Sequence, residues 1–288
     1  MGPEIPMSKW YIKYRNQSPL THADWDAFRD PDQLVYRGYN MIQDGQESFV
    51  DALLDDYSRN EHDHGLTPES IQRLARFYTP ARFLIHTAQM ASAYLVTMAP
   101  ASTVENCLIF QCADQFRWVS RIAYRTAELY AIHADAGFNG NERQIWEDDA
   151  AWQGFRELME KTLVTWDWAE QFTVLNLVAK PAIDAVLIDQ FAGLCRRDGD
   201  TLTSLLLDAQ MTDNMRSRRW TAALVEFALE NAENGNMDVF DKWLAKWVPL
   251  GNKAIEAFSD GLGSEGAGIA AAALADAAKF RTDLGFNA

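Results

Sequence analysis

The stretch Asp114-Gln115-Phe116-Arg117-Trp118 has a close copy downstream at Asp213-Asn214-Met215-Arg216-Ser217. Both read Asp, amide, apolar residue, Arg and one variable residue, and each lies in a long segment whose apolar residues recur at helical spacing. Residues at positions i and i+3 share one face of a helix. The repeated pattern therefore predicts two helices that present corresponding faces to the protein interior.

Carboxylate-bridged di-iron bundles carry Glu-x-x-His on two core helices and one further carboxylate on each of the other two. Here the Glu and His positions of both copies hold other residues, and counting back one helix and a turn, about 30–34 residues, reaches the remaining two positions. The six positions read Ile85, Gln115, Trp118, Lys180, Asn214 and Ser217. None is a carboxylate or an imidazole, and a lysine adds positive charge where carboxylates have to offset that of iron. The sequence therefore predicts a packed core without a metal at these positions, with Trp118 and Lys180 filling the space.

Composition restricts the class of protein. The chain has 288 residues and a formal net charge of −15, which argues against binding to nucleic acid or anionic membranes. We find no N-terminal signal and no apolar run of membrane-spanning length, so a soluble cytoplasmic protein is expected. The three cysteines lack metal-ligand spacing and are predicted to be small buried residues.

Helical periodicity dominates the chain, and no segment alternates as a strand does. We predict an all-α bundle with an N-terminal arm at 1–29, a helical domain at 30–258 and a partly ordered Gly/Ala-rich tail at 259–288. The predicted long helices are 31–59 capped by Asp30, 80–99, 102–136, 142–163, 165–195 with a kink at Pro181, 201–232, and 237–258 interrupted at Pro249.

The N-terminal arm is too aromatic for a disordered tail and too irregular for a helix of any length. It either folds back on its own domain or wraps around a partner subunit. Two glycines seven residues apart in the first long helix suggest the close approach of another backbone. The candidate interface residues are Trp10, Tyr11, Tyr14, Trp25, Phe28, Gly38 and Gly45.

Two charged stretches are weaker candidates for a site. One literal Glu-x-x-His runs from Glu61 to His64, and we interpret it as the solvated end of a helix. The run Arg216-Ser217-Arg218-Arg219 is basic in an acidic chain. It is predicted to be a solvated face, with pairing to Asp213 or to an acidic surface of a partner as the alternatives.

Several stretches resemble the β subunit of bacterial multicomponent monooxygenases, most closely the toluene-monooxygenase type. The resemblance extends from residue 10 to about 258. It is carried by Trp10-Tyr11-Ile12-Lys13-Tyr14-Arg15-Asn16, by Asp30-Pro31-Asp32-Gln33-Leu34-Val35-Tyr36-Arg37, by Met98-Ala99-Pro100-Ala101-Ser102-Thr103, and by residues 18–20, 25–28, 43–47, 123–126, 152–154, 158–161 and 175–178.

The resemblance implies a ferritin-like, ribonucleotide-reductase-like fold that lacks the di-iron ligands. It implies a structural subunit without cofactor or catalytic residues of its own, paired with a di-iron α subunit and a small γ subunit in a dimeric hydroxylase. A regulatory protein and electron-transfer components would dock on this NADH-dependent complex, which oxidises aromatic or alkene hydrocarbons. The N-terminal arm would pack across the α subunit.

Two other functions compete with this interpretation. A stand-alone di-iron oxidase with unusual ligands predicts stoichiometric iron in the isolated chain. A helical scaffold unrelated to oxygenases predicts a partner other than a di-iron subunit.

Overall fold

A computed structural model describes residues 4–287, apart from the side chain of Ala232. Within that part of the chain every regular element is helical, so the prediction of an all-α protein is confirmed. The α-helices are α1 (Pro6–Tyr11), α2 (Tyr36–Arg59), α3 (Pro68–Arg73), α4 (Ala81–Met98), α5 (Ser102–Ile132), α6 (Glu142–Asp148), α7 (Ala150–Leu163), α8 (Trp168–Phe172), α9 (Lys180–Ile183), α10 (Phe191–Arg197), α11 (Thr201–Leu229), α12 (Asn236–Asp260) and α13 (Gly266–Asp283).

Helices α8, α9 and α10 form one continuous helical stretch, because the π-helical segments Thr173–Ala179 and Asp184–Gln190 join them. This stretch, Trp168–Arg197, is long and apolar enough to cross a membrane, but its apolar window is entirely buried inside the fold. Such burial is typical of the core helix of a soluble protein. Within this stretch, α10 packs on α11 and the segment Thr173–Ala179 packs against α12. Elsewhere, α4 packs along α5 and α12 packs on α7.

The first long helix begins at Tyr36, later than the predicted start at Pro31. The carboxylate of Asp30 caps a turn instead of a helix, since it accepts hydrogen bonds from the backbone N–H groups of Asp32 at 3.0 Å and Leu34 at 3.1 Å. Gln33 takes a left-handed conformation with φ of 49°. A helix cannot continue through such a residue.

Pro249 does not interrupt α12, as the sequence predicted, but lies inside it. A proline removes the hydrogen bond to the carbonyl four residues earlier. That carbonyl belongs to Ala245, which is exposed, so water can take the place of the missing donor.

The prediction of a partly ordered C-terminal tail is wrong, because 266–283 is helical and packs against α12 and the segment Asp184–Gln190. Ile269, Ala273 and Ala277 are buried there. Pro181 frees the carbonyl of Leu177 within the core, and the buried Arg281 of α13 donates to that carbonyl at 3.4 Å. Helix α13 therefore supplies the donor that the proline removes.

The N-terminal arm does contain a helix, contrary to expectation: α1 continues as a π-helical segment, Ile12–Asn16. The indole of Trp10 donates to the hydroxyl of Tyr94 at 3.0 Å, and the hydroxyl of Ser18 donates to Asp167 at 2.9 Å. The arm thus folds back on its own domain, the first of the two alternatives. Contact with a partner subunit stays a prediction.

Candidate functional site

The two copies of the Asp-x-x-Arg pattern meet at the centre of the molecule as a pair of crossed ion pairs. Arg117 of α5 pairs with Asp213 of α11, and Arg216 of α11 pairs with Asp114 of α5. Both carboxylates are buried. Arg216 also lies 3.3 Å from Asp213 on its own helix. Two buried negative charges are thereby matched by two guanidinium groups.

Helix α2 closes the cluster through two polar side chains. The hydroxyl of Tyr39 donates to Oδ1 of Asp114 at 2.8 Å. The amide of Gln43 donates to Asp114 and to Asp213, at 3.0 Å each, and its carbonyl oxygen accepts a hydrogen bond from Arg117. One glutamine therefore joins both carboxylates and one guanidinium, and so fixes α2 against α5 and α11.

Burial and the neighbouring charge of Asp213 raise the pKa of Asp114 to about 6, against the opposing effect of Arg216 and Tyr39. Burial alone lowers the pKa of Arg216, but the charge and hydrogen bond of Asp114 outweigh burial and raise that pKa above its usual value. Burial, with the charge of Asp114 second, also raises the pKa of Tyr39. Arg216 therefore stays charged, and Tyr39 stays a hydrogen-bond donor.

The six positions at which a di-iron bundle would carry its ligands are all buried: Ile85, Gln115, Trp118, Lys180, Asn214 and Ser217. The indole of Trp118 donates to Asp213 at 2.9 Å, which places the ring against the ion-pair cluster. Gln115 accepts a hydrogen bond from the hydroxyl of Ser92 at 2.7 Å. Both hydrogen bonds are made with buried polar side chains outside the six positions, as in a satisfied polar core.

Lys180 is 5% exposed, and its ammonium group donates to Oδ1 of Asn214 over a long 3.4 Å. Burial lowers the pKa of Lys180, while the charges of Asp184 and Asp114 oppose that shift. Asp184 is held by Arg218 at 2.9 Å. A di-iron centre does not fit this donor set, because an ammonium group occupies one ligand position and arginines hold the nearby carboxylates.

The second candidate, Glu61 to His64, directly follows the end of α2, and Glu61 and His64 are exposed, as the interpretation of a solvated helix end requires. Asp63 is buried and makes a two-fold ion pair with Arg125 of α5. Burial alone would raise the pKa of Asp63, but the hydrogen bond and charge of Arg125 outweigh it and lower the pKa. His133 contacts the backbone carbonyl of Asp63 at 2.8 Å. Because Arg125 lies far away in sequence, no local pattern signals this pair.

In the basic run at 216–219 only Arg219 is exposed, so the prediction of a solvated face is wrong for the other three residues. Arg216 belongs to the buried cluster, which bears out the alternative of pairing with Asp213. Arg218 binds Asp184 on the core helix, and Arg219 binds Asp32 in the turn before α2. Each arginine of the run contacts an acidic residue on a different segment.

The structure places the seven interface candidates at different depths. Phe28 is buried in its own chain against Phe227, whereas the other four aromatic residues of the arm are partly buried against the core. A Cβ atom built on Gly45 would meet nothing within 4 Å outside its own helical backbone, and one built on Gly38 would meet only the side chain of Leu34 at 3.8 Å, so no other backbone in the described part of the chain approaches either glycine closely. At Gly154, by contrast, a Cβ would lie 2.6 Å from Cα of Ala254, a backbone atom of α12.

Residues 10–232 match the family model for methane, phenol and alkene hydroxylases. The chain is 48% identical over 265 residues to "Toluene-4-monooxygenase system, hydroxylase component subunit beta" of Ectopseudomonas mendocina, covering 92% of this chain and 80% of that protein. It is 26% identical over 262 residues to an oxygenase component of phenol 2-monooxygenase from Pseudomonas sp. (strain CF600), covering 88% and 75%.

Two solved structures are similar. A chain of toluene 4-monooxygenase with toluene bound in its resting active site superposes with a TM-score of 0.89 at 48% identity, covering 92% of this chain and 87% of that one. A chain of xenon-pressurised phenol hydroxylase from Pseudomonas sp. OX1 gives 0.84 at 24% identity, covering 93% and 80%, and supports the fold alone. These neighbours confirm the ferritin-like fold expected from the resemblance. Together with the family match over residues 10–232, the 48% identity shows that the chain belongs to the methane, phenol and alkene hydroxylase family.

Proposed function

We propose that this chain is the non-catalytic β subunit of a multicomponent monooxygenase hydroxylase of the toluene-monooxygenase type. In this proposal it pairs with a di-iron α subunit and a small γ subunit, and the assembled oxidoreductase hydroxylates aromatic or alkene hydrocarbons. The similarity to a subunit named as a hydroxylase β component supports the proposal. The chain's own contribution is to hold and shape its partner.

The observation that carries the non-catalytic role is the chemistry of the six ligand positions. An indole, an ammonium group and an aliphatic side chain occupy three of them, and two amides and a hydroxyl occupy the rest. Charge-neutral oxygen donors are poor ligands for a di-iron pair, which carboxylates normally bridge. Arg117 and Arg216 further engage the two nearby aspartates.

Iron, oxygen activation and substrate binding would then belong to the α subunit. A regulatory protein and the electron-transfer components that deliver electrons from NADH would dock on the assembled hydroxylase. We place this assembly in the cytoplasm. The relatives are components of toluene, phenol and propane monooxygenases.

Iron content tests the non-catalytic role. The full chain, purified alone from iron-supplemented cells, is expected to hold iron far below stoichiometry, whereas the α subunit prepared in parallel should hold about two iron atoms. Inductively coupled plasma mass spectrometry measures both. About two iron atoms per well-folded isolated chain would support the stand-alone oxidase instead.

Partner identity tests the assembly role. A tagged full chain, isolated from its native host, is expected to retain a subunit with two Glu-x-x-His motifs. Recovery of an unrelated partner in place of that subunit would support the helical scaffold.

A further inference from the structure

Helices α4 and α5 expose an uncharged face. Within the described part of the chain, neither helix has an exposed Asp, Glu, Lys or Arg, although 23% of the chain is charged. The face instead exposes large apolar and aromatic side chains, with Phe116 at 57% and Tyr124 at 53%. The large members are Met90, Ile109, Phe116, Tyr124 and Tyr130. An apolar patch of several hundred Å² on a soluble protein is often an interaction site.

Small residues lie between the large ones along α5. Ser120, Ala123 and Ala127 are exposed at spacings of three and four residues, the spacing of a single helix face. A partner helix can approach closely over small residues, with large side chains on either side filling the remaining volume. The pattern therefore suits a packed helix more than a flexible loop.

The large residues of this face supply about half of the area that one partner gives to a standard interface. At about 200 Å² for a fully exposed large side chain, the five large residues contribute roughly 450 Å² of accessible surface. A standard interface takes about 800 Å² from each partner, and the exposed Ala and Ser residues between the large ones add to the total. The face is continuous, because Gln89 of α4 and Cys112 of α5 contact each other at 3.3 Å across the helix pair.

An acidic rim borders the face on the α2 side. Glu47 of α2 lies 2.5 Å from Arg117 of α5 and also pairs with Arg121. Asp51 of α2 lies 2.5 Å from Arg121, so α2 runs beside α5. Asp44 and Asp55 lie on the same stripe of α2 as Asp51 and are exposed. A complementary partner presents an apolar helix flanked by basic residues.

Charge also distinguishes two possible binding partners of the α4–α5 face, a second copy of this chain and the catalytic subunit. In a second copy of this chain packed through antiparallel α5 helices, the acidic rims would face each other, and each copy carries a net charge of −15. We propose that the α4–α5 face binds the catalytic subunit of the hydroxylase through an apolar helix with a basic flank. This inference rests on the proposed function as a β subunit.

Assembly of the full chain with its catalytic and small subunits tests the proposal. Ala123→Glu and Ala127→Glu each place a carboxylate where the partner helix packs, so recovery of the co-expressed complex by native mass spectrometry should fall at least about tenfold. Ala275→Glu, on the exposed side of α13, is the matched control and should assemble like wild type. Circular dichroism of the isolated variants verifies their folding.

Cysteine labelling gives a readout that does not depend on the Glu variants. A maleimide should label Ser120→Cys in the isolated chain and at least about tenfold more slowly in the complex. Ala275→Cys should react equally in both. Peptide mass spectrometry separates these sites from the three native cysteines.

The outcomes distinguish the inference from the proposed function. If wild type forms no complex with a catalytic subunit, both fail. If the complex forms equally well with both Glu variants and Ser120→Cys stays reactive in it, this face is not the interface, while the β-subunit role stands. If the isolated chain is a dimer that Ala123→Glu breaks without affecting the complex, a second copy occupies the face and the inference is overturned.

Discussion

At the residue scale, a charge-balanced cluster of two aspartates and two arginines lies at the centre of the core, next to the six ligand positions. The Asp-x-x-Arg pattern places a carboxylate and a guanidinium one turn apart on each of α5 and α11, and each arginine pairs with the aspartate of the other helix. Sliding one helix past the other would separate both pairs at once. Buried charges left unpaired are costly, so the crossed pairs favour a single register.

Lys180 is poorly satisfied in this core, because its hydrogen bond to Asn214 is long and burial lowers its pKa. Lys180→Met keeps the length of the side chain and removes the buried charge. We expect it to stabilise the chain by about 1–3 kcal/mol, as do apolar replacements of buried ionic groups. Thermal unfolding at pH 7 measures the change, with exposed Lys242→Met as the control.

The stabilisation by Lys180→Met should depend on pH, because burial lowers the pKa of Lys180. The folded-state pKa of Lys180 lies below the ordinary value of 10.5, so protonation penalises the folded state at neutral pH. This penalty disappears as pH rises through the folded-state pKa towards 10.5. The advantage of Lys180→Met should therefore shrink between pH 7 and pH 10. An advantage that is equal at both pH values would show that the buried charge is not its cause.

At the element scale, whether a proline breaks a helix depends on what satisfies the carbonyl group that it frees. Pro181 and Pro249 both lie inside continuous helical stretches. Arg281 satisfies the carbonyl freed by Pro181, and the exposure of Ala245 lets water satisfy the one freed by Pro249. The low-complexity composition of α13 predicted weak packing, but small residues are what allow α13 to lie close to the core.

Gly154 provides a test of helix packing between α7 and α12. A Cβ at this position would lie 2.6 Å from Cα of Ala254 and 3.0 Å from the carbonyl of Lys253, both rigid backbone atoms. Gly154→Ala should therefore destabilise the isolated chain by about 1–3 kcal/mol, the range for overpacking. Chemical denaturation measures the free energy of unfolding.

Gly45→Ala is the matched control, since it is also a glycine within a helix and its Cβ meets nothing described within 4 Å. It should stabilise the isolated chain by up to about 1 kcal/mol through helix propensity. Equal effects of the two substitutions would contradict the close approach at Gly154.

At the scale of the whole molecule, the N-terminal arm joins distant segments. Trp10 contacts Tyr94 and Trp166, and Trp25 packs edge-on against Trp168. Both tryptophans are partly buried, so each keeps some surface for a partner. The arm therefore both covers its own core and offers aromatic surface outward.

Trp10→Ala and Trp25→Ala test the outward role. Because most of the helical residues lie outside the arm, helicity of the isolated chain should hardly change, while assembly with the catalytic subunit should weaken by about 2–4 kcal/mol as for interface anchors. Circular dichroism and a titration with the catalytic subunit measure the two effects. Parallel losses of helicity and assembly would mean that the arm serves only its own domain.

The sequence by itself determined the all-α class, the positions of most long helices and the absence of carboxylates at the six ligand positions. These follow from periodicity and residue identity, which are local properties. Only the tertiary structure decided that Asp63 pairs with Arg125, that Arg216 crosses to Asp114, and that 266–283 is a packed helix. Each of these depends on a partner many residues away, and a linear pattern does not encode which distant side chain will neutralise a charge or cover an apolar face.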